Sequence, residues 1–284
     1  MKHLRFLRAL APALLLLLAA LAYWPGVKGG FLFDDYNNIQ VNPAIQLTSL
    51  DLPALQRAAD AYRAGSYGRP LATLSFALDH YLQGPAPAGY KRTNVLLHVA
   101  NTLLVFLLVS QLLALPTAAP SWSPWAALAV SAAWAIHPLQ VSTVLYVVQR
   151  MEMLVAMFTL LGLLAYLRGR LAQREGRSGW PWLLLAGAAG AIGLLAKESA
   201  VLLPVFALAI EATMLHFEAR RPGTRRLLLA AYAVGALVSA ALFFGLVLPR
   251  FAPAESFAIR DFSQGERLLT QLRVLPMYLG QMLL

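Results

Sequence analysis

Two adjacent carboxylates, Asp34 and Asp35, stand in FLFDDYNNIQVNP, directly after the apolar run that begins near the amino terminus. Such a pair can do two kinds of chemistry. One carboxylate can take a proton while its neighbour orients it, because consecutive side chains on regular structure point apart. Alternatively, the two can hold a divalent cation, although Mg²⁺ or Ca²⁺ takes about six or more oxygens and a lone pair of acids supplies few of them. Further polar residues interrupt apolar stretches: Arg69 in RPLATLSFALD, His137, Gln140, Gln149, Arg150 and Glu152 in AIHPLQVSTVLYVVQRMEML, and Lys197 and Glu198 in LLAKESAVLLP. A mutual or neighbouring salt bridge that closes a helix turn explains Arg150 and Glu152, and likewise Lys197 and Glu198, somewhat better than catalysis does. Asn94, His98 and Asn101 recur on one stripe of a helix, where polar side chains join neighbouring helices; His98, nearer the outer mouth of the span than Asn101, is also placed to line a cavity.

The elements that must position these residues are membrane helices. Hydrophobic residues make up 59% of the 284 and charged residues 13%, where soluble domains carry about 25% charged. Apolar runs at about 7–24, 93–115, 122–138, 151–168, 180–196, 199–217, 227–248 and 267 to the end predict about eight spans in an all-α polytopic transmembrane bundle. At about 1.5 Å per residue, 138–167 is too long for one crossing. It divides into a short helix near 141–149 and a span from about Met151. By the same measure the run 180–217 turns at Lys197 and Glu198.

The net charge is +10, and basic residues cluster in MKHLRFLR, LRGRLAQREGR and EARRPGTRR, at the ends of spans. The positive-inside rule puts all three in the cytoplasm, while the connection 116–121 also falls inside and carries no charge. No basic stripe alternates with aromatics, so no nucleic-acid partner is expected. The acid pair and the polar interruptions then share the outer face, which predicts a water-accessible cavity there. An Ala-x-Ala pattern at Ala20–Ala22 resembles a signal-peptidase site, yet the long apolar stretch reads as an uncleaved anchor. The first outer loop, 24–92, contains SLDLPALQRAADAYRAG, with Leu52, Leu55, Ala59 and Tyr62 at helical spacing, Ser49 or Asp51 as cap and Gly65 as stop. This predicts an amphipathic helix on the membrane surface or on the bundle's outer end. Gly187, Gly190 and Gly193 suit helix contact. There is no cysteine, and no phosphate-loop, dinucleotide or HExxH pattern.

Five ordered blocks, FLFDDYNNIQVNPAIQ, RPLATLSFALD, GYKRTNVLLHVANTLLVFLL, AIHPLQVSTVLYVVQRMEML and GLLAKESAVLLPVFAL, resemble the membrane domain of the transmembrane and tetratricopeptide-repeat O-mannosyltransferases and their bacterial relatives, within the GT-C glycosyltransferases. The resemblance covers about Tyr23 to the end, as one GT-C-like domain over 1–284. It implies an enzyme that moves a sugar, with inversion, from a polyprenyl-phosphate carrier to a protein or glycan hydroxyl on the non-cytoplasmic face. For a bacterial chain that is the periplasmic face of the inner membrane. In such enzymes an acid of the first outer loop is the base, which corresponds here to Asp34 and Asp35, with Asp34 as base and Asp35 as its partner. Arg150, Lys197 and Arg69, with His137 as a weaker choice, would meet the leaving phosphate; Glu152 and Glu198 would hold these cations. No cofactor is implied, and a divalent metal at the acid pair stays open. Family members continue with further spans and usually repeats, so the rest of the domain is expected outside this sequence. A transporter, which would put polar groups at mid-membrane and on both leaflets, and a non-catalytic scaffold are the competing readings.

Overall fold

The computed structural model describes residues 2–62, 68–115, 122–247 and 261–283. Among them every regular element is helical, as backbone groups in hydrocarbon must bond within their own segment. The chain divides into two compact units, Met1–Arg220 and Arg221–Leu284.

The first unit contains α1 (Lys2–Tyr23), α2 (Leu52–Ala59), α3 (Pro70–Gln83), α4 (Pro87–Leu113), α5 (Ser123–Ala135), α6 (Gln140–Leu145), α7 (Arg150–Arg174), α8 (Trp180–Leu194) and α9 (Leu203–Ile210). α4 packs against α1, α5 and α7, and α7 against α8 and α9. A proline in the first turn starts α2, α3, α4, α5, α8 and α9, where its missing N–H removes no helical bond. The division required by length occurs: α6 is followed by a 3₁₀ turn, Val147–Gln149, before α7, and a second 3₁₀ turn, Glu198–Leu202, follows Lys197. The second unit holds α10 (Pro222–Leu242), a π turn (Phe243–Val247) and α11 (Gln264–Leu283).

Among the described residues five helices are long and apolar enough to cross a membrane: Leu10–Lys28, Pro87–Leu113, Val147–Arg174, Glu198–Leu215 and Pro222–Gly245. Their length and composition fit an integral membrane protein, and among the described residues they are fewer than the eight spans expected. The expected spans 122–138 and 180–196 form the shorter α5 and α8, of 13 and 15 residues. The last expected span forms α11, which carries Glu266, Arg267 and Arg273 and has Pro276 inside. The connection 116–121 lies outside the described residues.

The outer loop is folded onto the bundle. Phe31, Ile39, Ile45, Ala54 and Ala58 share a buried core with Phe76 and Tyr90 and with Val147, Met151 and Leu154 of the α7 entry. Asp51 caps α2 by accepting the Ala54 N–H at 2.8 Å and the Ser49 hydroxyl at 2.6 Å. α2 ends at Ala59, and the expected stop, Gly65, lies outside the described residues. Its apolar stripe is only partly buried: Leu55 and Tyr62 pack against the core, and Leu52 is exposed. Ala54 and Ala58 enter the core, while Leu52, Leu55 and Ala59 line an open apolar groove with Leu74 and Leu78. Of the expected glycines, Gly193 sits at a close contact, where a methyl would stand 3.0 Å from Ala200 Cβ, and the tighter approaches lie at other glycines. Gly187 has open space where a side chain would be, whereas a methyl on Gly179 would stand 2.0 Å from the Gly169 carbonyl and one on Gly162 2.3 Å from Leu203.

Candidate active site

The turn at 32–36 divides the acid pair. Phe33 has φ 39, a left-handed conformation that costs a non-glycine residue about 1–3 kcal/mol and needs outside support to persist. Asp35 supplies that support. Its buried carboxylate accepts the N–H of Leu32 at 3.0 Å across the turn, and the N–H groups of Val148 at 2.7 Å and Val147 at 3.3 Å at the entry to α7. Those two amides open a helical stretch, where carboxylates are favoured. Burial pushes the Asp35 carboxyl above its ordinary 3.8, against the backbone N–H groups of Leu32, Val148 and Val147 and the charge of Lys91, which lower it.

Asp34 is exposed. Its N–H donates to the Tyr146 hydroxyl at 2.9 Å, and its carbonyl accepts from Asn38 Nδ2 at 2.9 Å. Burial lifts the Tyr146 phenol above its ordinary value; the negative charges of Asp34 and Asp35 act the same way and the Asp34 N–H acts against them. One acid is therefore built into the fold and the other stands at its surface.

Arg150 is fully buried. Its Nη2 pairs with Asp79 and donates to the Tyr90 carbonyl at 2.9 Å, its Nε donates to Asn94 Oδ1 at 2.7 Å and its Nη1 to the Ser75 carbonyl at 3.0 Å. Phe76 lies under the guanidinium at 4.8 Å. The expectation that Arg150 meets substrate is corrected: every end of its fork is committed and no face reaches solvent, so it braces α3, α4 and α7. It does not pair with Glu152 either.

The other charges at this end pair as the carriers of cations. Glu152 binds Lys197 and accepts the Ser199 hydroxyl at 3.2 Å. Glu198 takes Arg69 Nη2 at 3.1 and 3.3 Å, while Arg69 Nη1 donates to the Tyr62 hydroxyl at 3.0 Å and the guanidinium lies 4.5 Å from the Tyr62 ring centre. Arg69 Nη1 also lies 2.9 Å from Met151 Sδ, so the first turn of α7, carrying Arg150, Met151 and Glu152, links these pairs to the turn that Asp35 holds.

Four expected site residues make their described contacts elsewhere. His98 is a second correction: it is buried, its Nε2 lies 2.8 Å from the Ala135 carbonyl, and its ring stacks on Trp134 and meets Tyr23 edge-on. With Asn94 and with Asn101, which donates to the Met153 carbonyl at 2.9 Å, it joins helices rather than lining a cavity. His137 and Gln140 form the α5–α6 turn, where His137 Nδ1 accepts the Leu139 N–H at 3.2 Å. Gln149 is half-buried at the end of the 3₁₀ turn before α7. No three His, Asp or Glu side chains gather into a potential metal group among the described residues.

Sequence reasoning passed over Asp79, Lys91 and Tyr146, though Asp79 stood out as a single acid in an otherwise apolar helical stretch. It also placed the membrane charges on one face. At the far end of α7, Arg170 and Glu211 are both fully buried and paired, and Glu211 further accepts the Tyr166 hydroxyl at 2.8 Å and the Phe217 N–H at 3.1 Å.

Comparison with known proteins adds a family likeness. The chain is 34% identical over 195 residues to protein O-mannosyl-transferase Tmtc2 of Drosophila melanogaster, covering 65% of this chain and 20% of that protein. It is 31% identical over 193 residues to human protein O-mannosyl-transferase TMTC4, covering 61% and 25%, and 35% identical over 133 residues to human protein O-mannosyl-transferase TMTC2, covering 47% and 15%. The chain thus spans about a quarter or less of the length of these curated relatives. No family model matches, and no solved structure matches. The all-helical membrane bundle and these identities agree with the GT-C-like resemblance of the sequence blocks, and over its matched part the chain is similar to proteins named protein O-mannosyl-transferases.

Proposed function

We propose that these residues form the membrane-embedded part of an inverting glycosyltransferase, in which Asp34 is the general base. The observation that carries the reading is the division of the acid pair: Asp35 is spent on three backbone N–H groups, and Asp34 is left exposed on the turn so held. An acceptor hydroxyl loses its proton to the Asp34 carboxylate as its oxygen bonds to the anomeric carbon. The bond from that carbon to the carrier phosphate breaks on the opposite face, and the electron pair leaves with the phosphate. Such a base contributes a factor of about 10² to 10⁴. Asp35 and Tyr146 fix where Asp34 stands. The leaving phosphate gains charge and needs fixed cations rather than a proton; Lys197 and Arg69, each held by a glutamate and neither fully enclosed, suit that task.

The relatives' names support a mannosyl donor and a protein hydroxyl acceptor for this chain. The donor is a polyprenyl-phosphate sugar, and the active face is the non-cytoplasmic one, periplasmic in a bacterial inner membrane. The three basic clusters at the other ends of the spans support that orientation. The test is transfer of sugar from a polyprenyl-phosphate mannose to a hydroxyl acceptor by Asp34→Asn, with folding followed by thermal unfolding in detergent. A folded variant that transfers at the wild-type rate removes Asp34 from the chemistry.

A further inference from the structure

Lys91 is 3% exposed, one residue after Tyr90 in the first turns of α4. Among the described residues it has no hydrogen-bond or ion-pair partner, although carboxylates stand nearby. Asp35 feels its charge but is engaged by backbone N–H groups, and Asp79 is engaged by Arg150, Thr93 and Gln83. The stem is enclosed while Nζ keeps a small opening to solvent, so a largely desolvated charge is left where an anion from outside can reach it. The approach is open. The ammonium lies against the exposed backbone of Gly29, where a methyl would come 3.0 Å from Nζ, and at Gly30 a side chain would meet nothing within 4 Å. Gly29 thus leaves bare backbone beside the ammonium, with open space at Gly30, immediately before the turn that carries Asp34.

We propose that Lys91 and the Gly29 backbone form an anion-binding nook that receives the phosphate of the lipid-linked donor together with Lys197 and Arg69, in the place the sequence reading gave to Arg150 beside them. The identity of the anion rests on the glycosyltransferase reading; the nook itself does not. When the sugar leaves, the phosphate passes from diester to monoester and gains charge, so the ammonium binds the departing group more strongly than the bound donor.

The experiment measures binding of a polyprenyl phosphate, the matching polyprenol and inorganic phosphate to the full chain in detergent micelles, for the wild type, Lys91→Met and Gly29→Ala. A charge-assisted contact of ordinary strength makes Lys91→Met bind the polyprenyl phosphate about tenfold or more weakly, with polyprenol binding unchanged. Because the variant removes an unpaired buried charge, its thermal unfolding temperature equals or exceeds that of the wild type. Gly29→Ala keeps the charge, fills the approach and weakens phosphate binding severalfold, which tests the nook even if Lys91→Met fails to fold. Equal binding of polyprenyl phosphate by wild type and Gly29→Ala, or by wild type and a folded Lys91→Met, overturns the proposal, as does an equal loss of polyprenol binding. Inorganic phosphate binding as tightly as the lipid overturns the lipid-linked source. Lys91-dependent lipid binding in a protein whose sugar transfer ignores Asp34→Asn upholds the nook and sinks the catalytic reading instead.

Discussion

At the Arg150 end of α7, the carboxylate of Asp35 clamps a left-handed turn at Phe33 by accepting the Leu32 N–H, while a buried arginine a few residues away pairs with Asp79. At the Arg170 end, Glu211 clamps a left-handed turn at His216 and Phe217 by accepting the Phe217 N–H, and also pairs with the buried arginine itself. The device is shared, but its closure differs. Around Glu211 the groups are spent on one another: Arg170 also reaches the Gln173 side chain and the Glu218 carbonyl, and Tyr166 completes the carboxylate. Around Asp35 one carboxylate, Asp34, stands exposed and one cation, Lys91, lacks a described partner. A cluster whose charges are paired with one another holds helices together; a cluster with charges left over, on the same backbone restraint, is placed to act on something else.

Loss of function without loss of fold at the open end is the largest expected effect. Asp34→Asn lowers the rate of sugar transfer by about 10² to 10⁴, with thermal unfolding unchanged, because the replaced side chain is exposed. At the closed end the effect is on stability. Glu211→Ala strands a buried arginine and destabilises the protein by about 3–5 kcal/mol, read as a fall in unfolding temperature and in yield of folded protein. Arg150→Met, which strands Asp79, is expected to lose about as much, placing Arg150 with the bracing arginine at the far end. An Arg150→Met protein as stable as wild type but unable to bind polyprenyl phosphate would return Arg150 to the site.

Smaller effects sharpen the contrast. Burial raises the folded-state value of the Asp35 carboxyl above 3.8, so folding favours its protonated form. The associated stability is fully present below the ordinary carboxyl value and is lost as pH rises through the raised one. Unfolding temperatures of wild type and Asp35→Asn, measured from pH 3 upward, are therefore expected to differ in slope across the window that starts at 3.8, and parallel curves would show that burial does not act on this group. Glu198→Gln has the smallest effect. Its pair with Arg69 has a carboxylate 61% exposed, and such pairs contribute about 0–1 kcal/mol, so unfolding should barely move while phosphate binding changes through the freed Arg69. A large loss of stability would place Arg69 and Glu198 with the bracing pairs.

Hydropathy and length made much of the fold legible: the helical class, the short α6 before α7 and the turn at Lys197 follow from how far 1.5 Å per residue reaches. Span number was less legible. An apolar run records that a segment avoids water, and α5 and α8 do so as short helices partly covered by neighbours. In the site, Asp34, Asp35, Arg69 and Lys197 could be picked out because charge in an apolar chain is conspicuous. Asp79 and Lys91 lay inside blocks already noted for other residues, and their importance arises from what Arg150 does to one and what nothing described does to the other.

The sequence by itself determined that this is a helical membrane protein with acids and cations gathered where spans end, because the cost of charge in hydrocarbon restricts where such residues can stand. Only the tertiary structure decided which charges are consumed. Arg150 and Glu152 are two residues apart in the chain, yet one closes on Asp79 across α3 and the other on Lys197 across the next turn. Partner choice depends on distances between segments far apart in sequence, and spacing along one helix carries no record of them.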